Sequence, residues 1–220
     1  MERSELAIVI PCYNEEKTIL KVIFEVAEFG TPIIVNDCSS DKTLSLIKSI
    51  KEKIIIVSNN QNLGYEKSLQ LGFEAAHKNN FKYVITFDAD NQFEAKDIKL
   101  LIEDLNNSEI VIGERVKLQR FSEYLFSFFF YVFYRIKDPL SGLKLYKISI
   151  FLENNCIFDS KKLIGTELLI KAIKDKKKIS MIKVKTIKRK DEPRYGGLLK
   201  ANTKILLGLI KAIFFLKVNK

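Results

Sequence analysis

The segment FDADNQF (87–93) carries two carboxylates, Asp88 and Asp90, where an apolar run opens into a polar loop. Alternation along an extended chain puts both on one side, so they can converge on one hard divalent cation through oxygen ligands. Taken alone, Asp-x-Asp is also an ordinary solvated turn; the apolar run before it and the other strand-end motifs favour metal. In PCYNEE (11–16), Tyr13 stands where an aromatic ring could meet a base, and Asn14 suits the cap of a helix starting near Glu15. In NDCSSDKT (36–43), Asp37 could accept from a base N–H or a ribose hydroxyl, while Ser39, Ser40 and Asp41 also read as a plain helix cap. The single histidine, His77, sits at a helix end and reads as a helix-end residue rather than a catalyst. Cysteines at 12, 38 and 156 are too few and too scattered for a disulfide framework or a four-ligand zinc site, and they fit a reducing compartment. Cys12 and Cys38 read as small buried residues.

These residues follow a repeating pattern of elements. LAIVIP (6–11), PIIVND (32–37), KIIIVS (53–58) and YVITFD (83–88) are apolar runs of the kind buried on both faces of a parallel sheet. Between them, 15–29, 41–51 and 64–78 carry helical spacing, with Ile19, Val22, Ile23, Val26 and Phe29 on one face of the first. Such alternation predicts an α/β fold with right-handed crossovers and ligands beyond the carboxyl ends of the strands. Further along, the pattern predicts strands at 110–113, 141–146 and 178–187 and helices near 119–136, 161–174 and 198–218. We expect one domain over 1–197, followed by an amphipathic helix over 198–220.

Composition narrows the class. The 220 residues are 47% apolar and include 16 Phe, enough to bury a core, which excludes a disordered chain. Residues 171–220 hold a net charge of +13, leaving −3 for 1–170, so an anionic partner is expected: nucleic acid, phosphorylated substrate or anionic lipid. The basic end has no groove-reading or base-stacking module, which argues against nucleic acid. The N-terminus does not read as a signal peptide. The longest uncharged stretch, YLFSFFFYVFY (124–134), is about half of the ~20 residues a membrane-spanning helix needs.

VIPCYNEE, IVNDCSSDKT, NLGYEKSLQLGFEAA (62–76) and DADNQF together resemble the successive signatures of the family 2 glycosyltransferases with the GT-A fold. IGER (112–115), DPLSGLKLY (138–146) and RYGGLLK (194–200) resemble its polyprenyl-phosphate branch, typified by dolichyl-phosphate mannosyltransferase. The resemblance implies a mostly parallel sheet with a Rossmann-like nucleotide half. It implies that Pro11, Tyr13 and Glu15 line the nucleotide pocket and that Asp37 binds base or ribose. Asp88 and Asp90 would hold Mg²⁺ or Mn²⁺ against the donor diphosphate, with Gln92 near the sugar. Arg115, Ser141, Arg194 and Lys200 match polar positions of the acceptor half, and Arg194 and Lys200 could add charge at the leaving group. Three positions depart from the pattern: Asn36 replaces an acid, Asn91 replaces a glycine of the DADGQ pattern, and Leu199 replaces a small residue. Asn91 tolerates a left-handed turn.

The reaction so implied is a single inverting displacement of a nucleotide diphosphate, with GDP-mannose or a UDP-hexose as donor. A saccharide hydroxyl as acceptor needs a base, for which Asp138 and Glu167 are the isolated acids; Glu167 could equally face solvent. A polyprenyl phosphate is already ionised and needs cations instead, which the Arg- and Lys-rich second half favours. On the last helix, Lys200, Lys204 and Lys211 share one side and Ile205, Leu209, Ala212, Ile213 and Leu216 the other, an interfacial pattern. Helix 119–136 sets Arg120, Tyr124, Ser127, Tyr131 and Tyr134 against a dense Phe surface. We expect peripheral contact with the cytoplasmic membrane face; the plainer reading packs both helices on the sheet or on a second subunit. A separate membrane-anchor protein is a further expected partner. A non-catalytic nucleotide-sugar-binding protein is the alternative of another class.

Overall fold

LAIVIPC and TPIIV leave no polar position for a wet side, so the sheet they build must be covered on both faces. In a computed structural model describing residues 2–105, 108–158, 163–187 and 198–217, that is the arrangement. Strand β1 (Leu6–Cys12) is buried at every position, and β2 (Thr31–Asn36) at all but the first. With β3 (Ile55–Ser58), β4 (Tyr83–Thr86), β5 (Ile110–Arg115), β6 (Lys144–Lys147) and β7 (Ile179–Val184), they form a seven-stranded sheet in the order β3-β2-β1-β4-β6-β5-β7. All pairings are parallel except those of β6, which runs antiparallel to both β4 and β5.

Alternate residues of each strand feed two separate cores. Ala7, Val9, Ile33, Val35 and Val84 face one core, closed by α3 (Tyr65–Lys78), α5 (Phe121–Tyr134), α6 (Ile148–Glu153), α7 (Glu167–Lys174) and α8 (Leu198–Lys217). Leu6, Ile8, Ile10, Ile34 and Ile85 face the other, closed by α1 (Ile19–Val26), α2 (Thr43–Lys48) and α4 (Asp97–Asp104). The period of 2 in the strands thus meets the period of 3.6 in the helices on each side.

The element types match the sequence reading, and their limits are tighter. Helix α1 begins at Ile19 rather than near Glu15, and β6 begins at Lys144 because Ser141–Leu143 is held in a loop. The expected helix over 161–174 is Glu167–Lys174 among the described residues. Helices α4 and α6 had no counterpart in the sequence reading; they are short, of eight and six residues. Asn14 does not cap α1. It takes a left-handed φ of 55° and its Oδ1 accepts from the backbone N–H groups of Ser40 and Asp41, bracing the loop after β2. Cys38 is exposed rather than buried, and Glu167 is buried rather than facing solvent.

The last helix also departs from expectation. Its Ile205, Ala212 and Leu216 are buried in the core shared with α5 and α7, and Leu209 packs against that core. The apolar side expected to meet a membrane is therefore used inside the fold. Asn202 Oδ1 accepts from Ser122 Oγ at 2.6 Å, locking the start of α8 to the start of α5. Among the residues that α8 leaves exposed are Lys200, Lys204 and Lys211, beside Leu207, Ile210 and Phe214. No helix among the described residues is long and apolar enough to cross a membrane.

Helix α3 lies directly on β1: a Cβ added at Gly72 would stand 2.2 Å from Val9 Cγ1. Gly72→Ala should therefore cost about 1–3 kcal/mol by overpacking. Thermal unfolding should show a fall in Tm of roughly 2–4 °C per kcal/mol, and an unchanged Tm would contradict this packing.

Candidate functional site

The carboxyl ends of β1, β2 and β4 surround a cavity of about 630 Å³. Pro11, Tyr13 and Glu15 line it from the end of β1, Asp37 from the end of β2, and Asp88, Asp90 and Gln92 from the loop after β4. Arg115, at the end of β5, lines the opposite side, and Ala201, Lys204 and Ile205 of α8 form a further wall. Eight of the sequence-derived positions are thus brought together.

Asp37 is buried, and its carboxylate organises the loop that leads into α3. Oδ1 accepts from the Leu63 N–H and the Asn59 amide, each at 2.8 Å, and Oδ2 from the Gly64 N–H at 2.8 Å. The expected contact with base or ribose has to share a carboxylate already bonded three times. Glu15 Oε2 accepts from Thr18 Oγ1, and its backbone N–H donates to Thr43 Oγ1 at 2.8 Å.

Asp88 is fixed from two sides. The Tyr65 hydroxyl donates to Oδ1 at 3.0 Å, and the Gly142 Cα backs onto the carboxylate so closely that a Cβ there would lie 1.8 Å from Oδ2. Burial and then the neighbouring charge of Asp90 push the Asp88 pKa up to about 6, against the opposing pull of the Tyr65 bond, Lys144 and Arg115. Asp90 Oδ1 accepts from the Gln92 N–H across a turn in which Asn91 takes the left-handed conformation at φ 58°.

The Gly142 turn is itself clamped. Thr86 Oγ1 donates to the Gly142 carbonyl at 2.8 Å, and Lys144 Nζ donates to the Ser141 carbonyl. Ser141 Oγ donates to the Gly113 carbonyl at 2.6 Å and accepts from the Leu143 N–H. Ser141, expected at the acceptor, is therefore buried and bonded within the fold, and its hydroxyl does not line the main cavity. Lys144 is buried too; loss of solvent pulls its pKa down to about 8 against the opposing charges of Asp138 and Asp88.

Arg115 is the centre of a chain of alternating charges. Its Nε and Nη2 donate to the two oxygens of Asp138 at 2.8 and 2.9 Å, and Nη2 lies 3.3 Å from Glu123, which also pairs with Arg120 at 2.7 Å. Burial opposes the charge on Arg115, but the bonded Asp138 and the nearby Glu123 outweigh it and hold the guanidinium protonated. Asp138, considered from sequence as a base for a saccharide acceptor, is spent on this pair.

One expected cation is not where the sequence put it. Lys200 is exposed and does not line the cavity; Lys204, one turn later, does, 3.6 Å from Glu66 of α3. Arg194 lies outside the described residues. Sequence reasoning also missed Tyr65, Gly142 and Lys144. For Gly142 and Lys144 the only sequence signal was the SGLKLY segment, and for Tyr65 its place beside Gly64 at the head of α3.

The donor set at Asp88 and Asp90 is purely oxygen. No group of three or more His, Cys, Asp or Glu suited to a metal occurs among the described residues. The pair therefore fits a hard cation that takes its remaining ligands from substrate phosphate and water, and the mutual repulsion that raises the Asp88 pKa is what such a cation would relieve.

The raised Asp88 pKa has a sign for stability. A carboxyl whose folded pKa lies above its unfolded value destabilises the fold once ionised, so stability falls as pH rises from about 4 through about 6. Asp88→Asn should stabilise the metal-free protein at pH 7–8 by an amount on the order of 1–3 kcal/mol, read as a higher Tm, with the gain vanishing below about pH 4. A Tm that drops at pH 7–8 would contradict this account. Breaking the Arg115 pair with Asp138→Ala should instead destabilise by about 3–5 kcal/mol, because it strands a buried cation; a Tm within a degree of wild type would overturn it.

Comparison with known proteins bears on this geometry. A curated, uncharacterized protein of Methanocaldococcus jannaschii is 27% identical over 98% of this chain and 95% of its own length. The UDP-N-acetylglucosamine–dolichyl-phosphate N-acetylglucosaminyltransferase of Methanococcus voltae is 27% identical, over 82% of this chain and 84% of that protein. Among solved structures, glucosyl-3-phosphoglycerate synthase from Mycobacterium tuberculosis, in complex with Mn²⁺, UDP and phosphoglyceric acid, superimposes with a TM-score of 0.70 at 17% identity. That match covers 95% of this chain and 78% of the synthase and establishes a shared GT-A fold. Residues 7–143, which contain both the donor-side strand ends and the Asp88–Asp90 pair, match the family described as glycosyl transferase family 2, and the chain belongs to that family.

Proposed function

We propose that this glycosyltransferase moves a sugar from a nucleotide-diphosphate donor to a polyprenyl phosphate, with Mg²⁺ or Mn²⁺ held by Asp88 and Asp90. The observation that carries the acceptor reading is how the charges are spent on the side of the cavity formed by the end of β5, the start of α5 and α8. Arg115, Arg120 and Lys204 all line that side, while the carboxylates among them, Glu123, Asp138 and Glu66, are each paired with a cation. Such a wall positions an acceptor that is already an anion and is poorly equipped to deprotonate a hydroxyl. The same pairing counts against a saccharide acceptor. The name of the Methanococcus voltae relative supports a lipid-phosphate acceptor, and it supports a UDP-sugar over GDP-mannose as donor.

In this reading Tyr13 and Asp37 flank the nucleoside, and Tyr65 and Gly142 keep the Asp88 carboxylate turned toward the diphosphate. When bound, the divalent cation supplies a Lewis acid that neutralises the departing diphosphate. Arg115 and Lys204 hold the acceptor phosphate, and Gln92, tied to Gln119 across the cavity at 3.3 Å, stands beside the transferred sugar. A single displacement inverts the anomeric centre. Arg194 is assigned to charge at the leaving group.

Peripheral binding to an anionic bilayer belongs to the same proposal. Phe121, Phe128 and Phe133 of α5 are about two-thirds exposed or more, as are Ile210 and Phe214 of α8, and Lys200, Lys204 and Lys211 stand beside the latter. Apolar side chains beside lysines suit a surface that is both anionic and apolar below its headgroups.

The test is transfer of label from UDP-N-acetylglucosamine, UDP-glucose or GDP-mannose to a short polyprenyl phosphate, with Mn²⁺ or Mg²⁺. Label should enter the organic phase, and Asp90→Ala should reduce the rate roughly 10²–10³-fold. Donor hydrolysis without lipid labelling would overturn the acceptor; metal-dependent nucleotide binding without turnover would favour a binding protein. The chain should also co-sediment with phosphatidylglycerol vesicles at low salt and be released at about 1 M salt; retention only on neutral vesicles would contradict the electrostatic part.

A further inference from the structure

Ser68 lies in the first turns of α3, 1% exposed, and its Oγ has no hydrogen-bond partner among the described residues, yet it borders the main cavity. A buried hydroxyl without a partner is a cost that folding does not require, since alanine would serve the helix better at that position. Such a group in a ligand cavity points to a ligand atom that satisfies it.

Its place on the helix says which part of the ligand. At 100° per residue, Ser68 lies about 160° round α3 from Glu66. Glu66 points to Lys204 on α8, the acceptor side, and Tyr65 to Asp88. Helix α3 crosses β1 and β2, and the remaining flank carries Ser68 toward the ends of those strands, where Pro11, Cys12 and Asp37 line the same cavity. A diphosphate held at Asp88 and Asp90 stands at the end of β4, beside β1, so the part of the donor over β1 and β2 is its nucleoside. Asp37, with three hydrogen bonds already made to the Asn59–Gly64 loop, has little capacity left to recognise that nucleoside alone.

We infer that Ser68 is a nucleoside-binding residue, whose hydroxyl bonds the base or ribose of the donor. The inference rests on the donor reading above and adds a contact to it.

Isothermal titration of the full chain with UDP and with GDP, in the presence of Mn²⁺, tests it, alongside the thermal unfolding of the unliganded protein. Ser68→Ala should weaken binding of the preferred nucleotide about three- to tenfold, and uridine or guanosine alone should show the same loss. The Tm of the unliganded variant should be equal to or above that of wild type, because the hydroxyl makes no bond within the fold. Unchanged nucleotide affinity would overturn the inference and mean that solvent satisfies the hydroxyl. So would a loss confined to the diphosphates and absent for the nucleosides, which would place Ser68 at phosphate. A lowered Tm without ligand would assign the hydroxyl to folding and overturn it as well. Failure of wild type to bind either nucleotide would sink the donor reading itself, which separates the two claims.

Discussion

The reversed strand β6 is the constraint on which the site depends. In a fully parallel sheet the end of every strand would face the ligand and the start of every strand would face away. By running antiparallel between β4 and β5, β6 presents its entry segment at the ligand side, and Ser141–Leu143 is drawn across the end of β4. Only a glycine can pass there, because the Asp88 carboxylate occupies the space a side chain would need. Thr86 and Lys144 then tie down the carbonyls on either side of that glycine. The acid that would hold a cation is thus set by main chain, which has fewer ways to relax than a side chain does.

The same reversal explains the charge network. Asp138 precedes β6 and Arg115 ends β5, so antiparallel pairing of these two strands brings them together at one edge of the cavity. A bidentate pair so little exposed is costly to assemble and stiff once made. The pair holds the Arg115 guanidinium at a defined place, and Glu123 extends it to Arg120 on the approach to α5. Two polar groups that cost stability, the crowded Asp88 and the unpartnered Ser68, stand at this same cavity.

Much of the fold was legible from sequence because the strands are uninterrupted β-branched runs and the intervening helices have clear apolar stripes. That these residues would share a cavity was legible for the same reason: Pro11 is near the end of β1, and Tyr13, Glu15, Asp37, Asp88 and Asp90 follow closely on strands whose ends face one side. What failed was whatever depended on pairing between distant segments. Asn14 has a capping side chain, but its acceptor oxygen went to the loop after β2 instead of the next helix. Ser141 looks like an acceptor contact until the neighbouring carbonyl of Gly113 is in place. The lysines of α8 share one side in a helical projection, and only the seating of Ile205, Ala212 and Leu216 in the core decides that Lys204 rather than Lys200 reaches the cavity. Tyr65 carried only its place at the head of α3 as a signal, since its partner is 23 residues away on another element.

Helix α8 belongs to two surfaces at once. Its inner face supplies Ala201, Lys204 and Ile205 to the cavity wall, and its outer face carries exposed Leu207, Ile210 and Phe214. One rigid rod therefore borders both the substrate and whatever lies against its outer surface. Both environments are set by the seating of Ile205, Ala212 and Leu216 in the core. A substitution that altered that seating would therefore reshape the cavity wall and the exposed apolar surface at once.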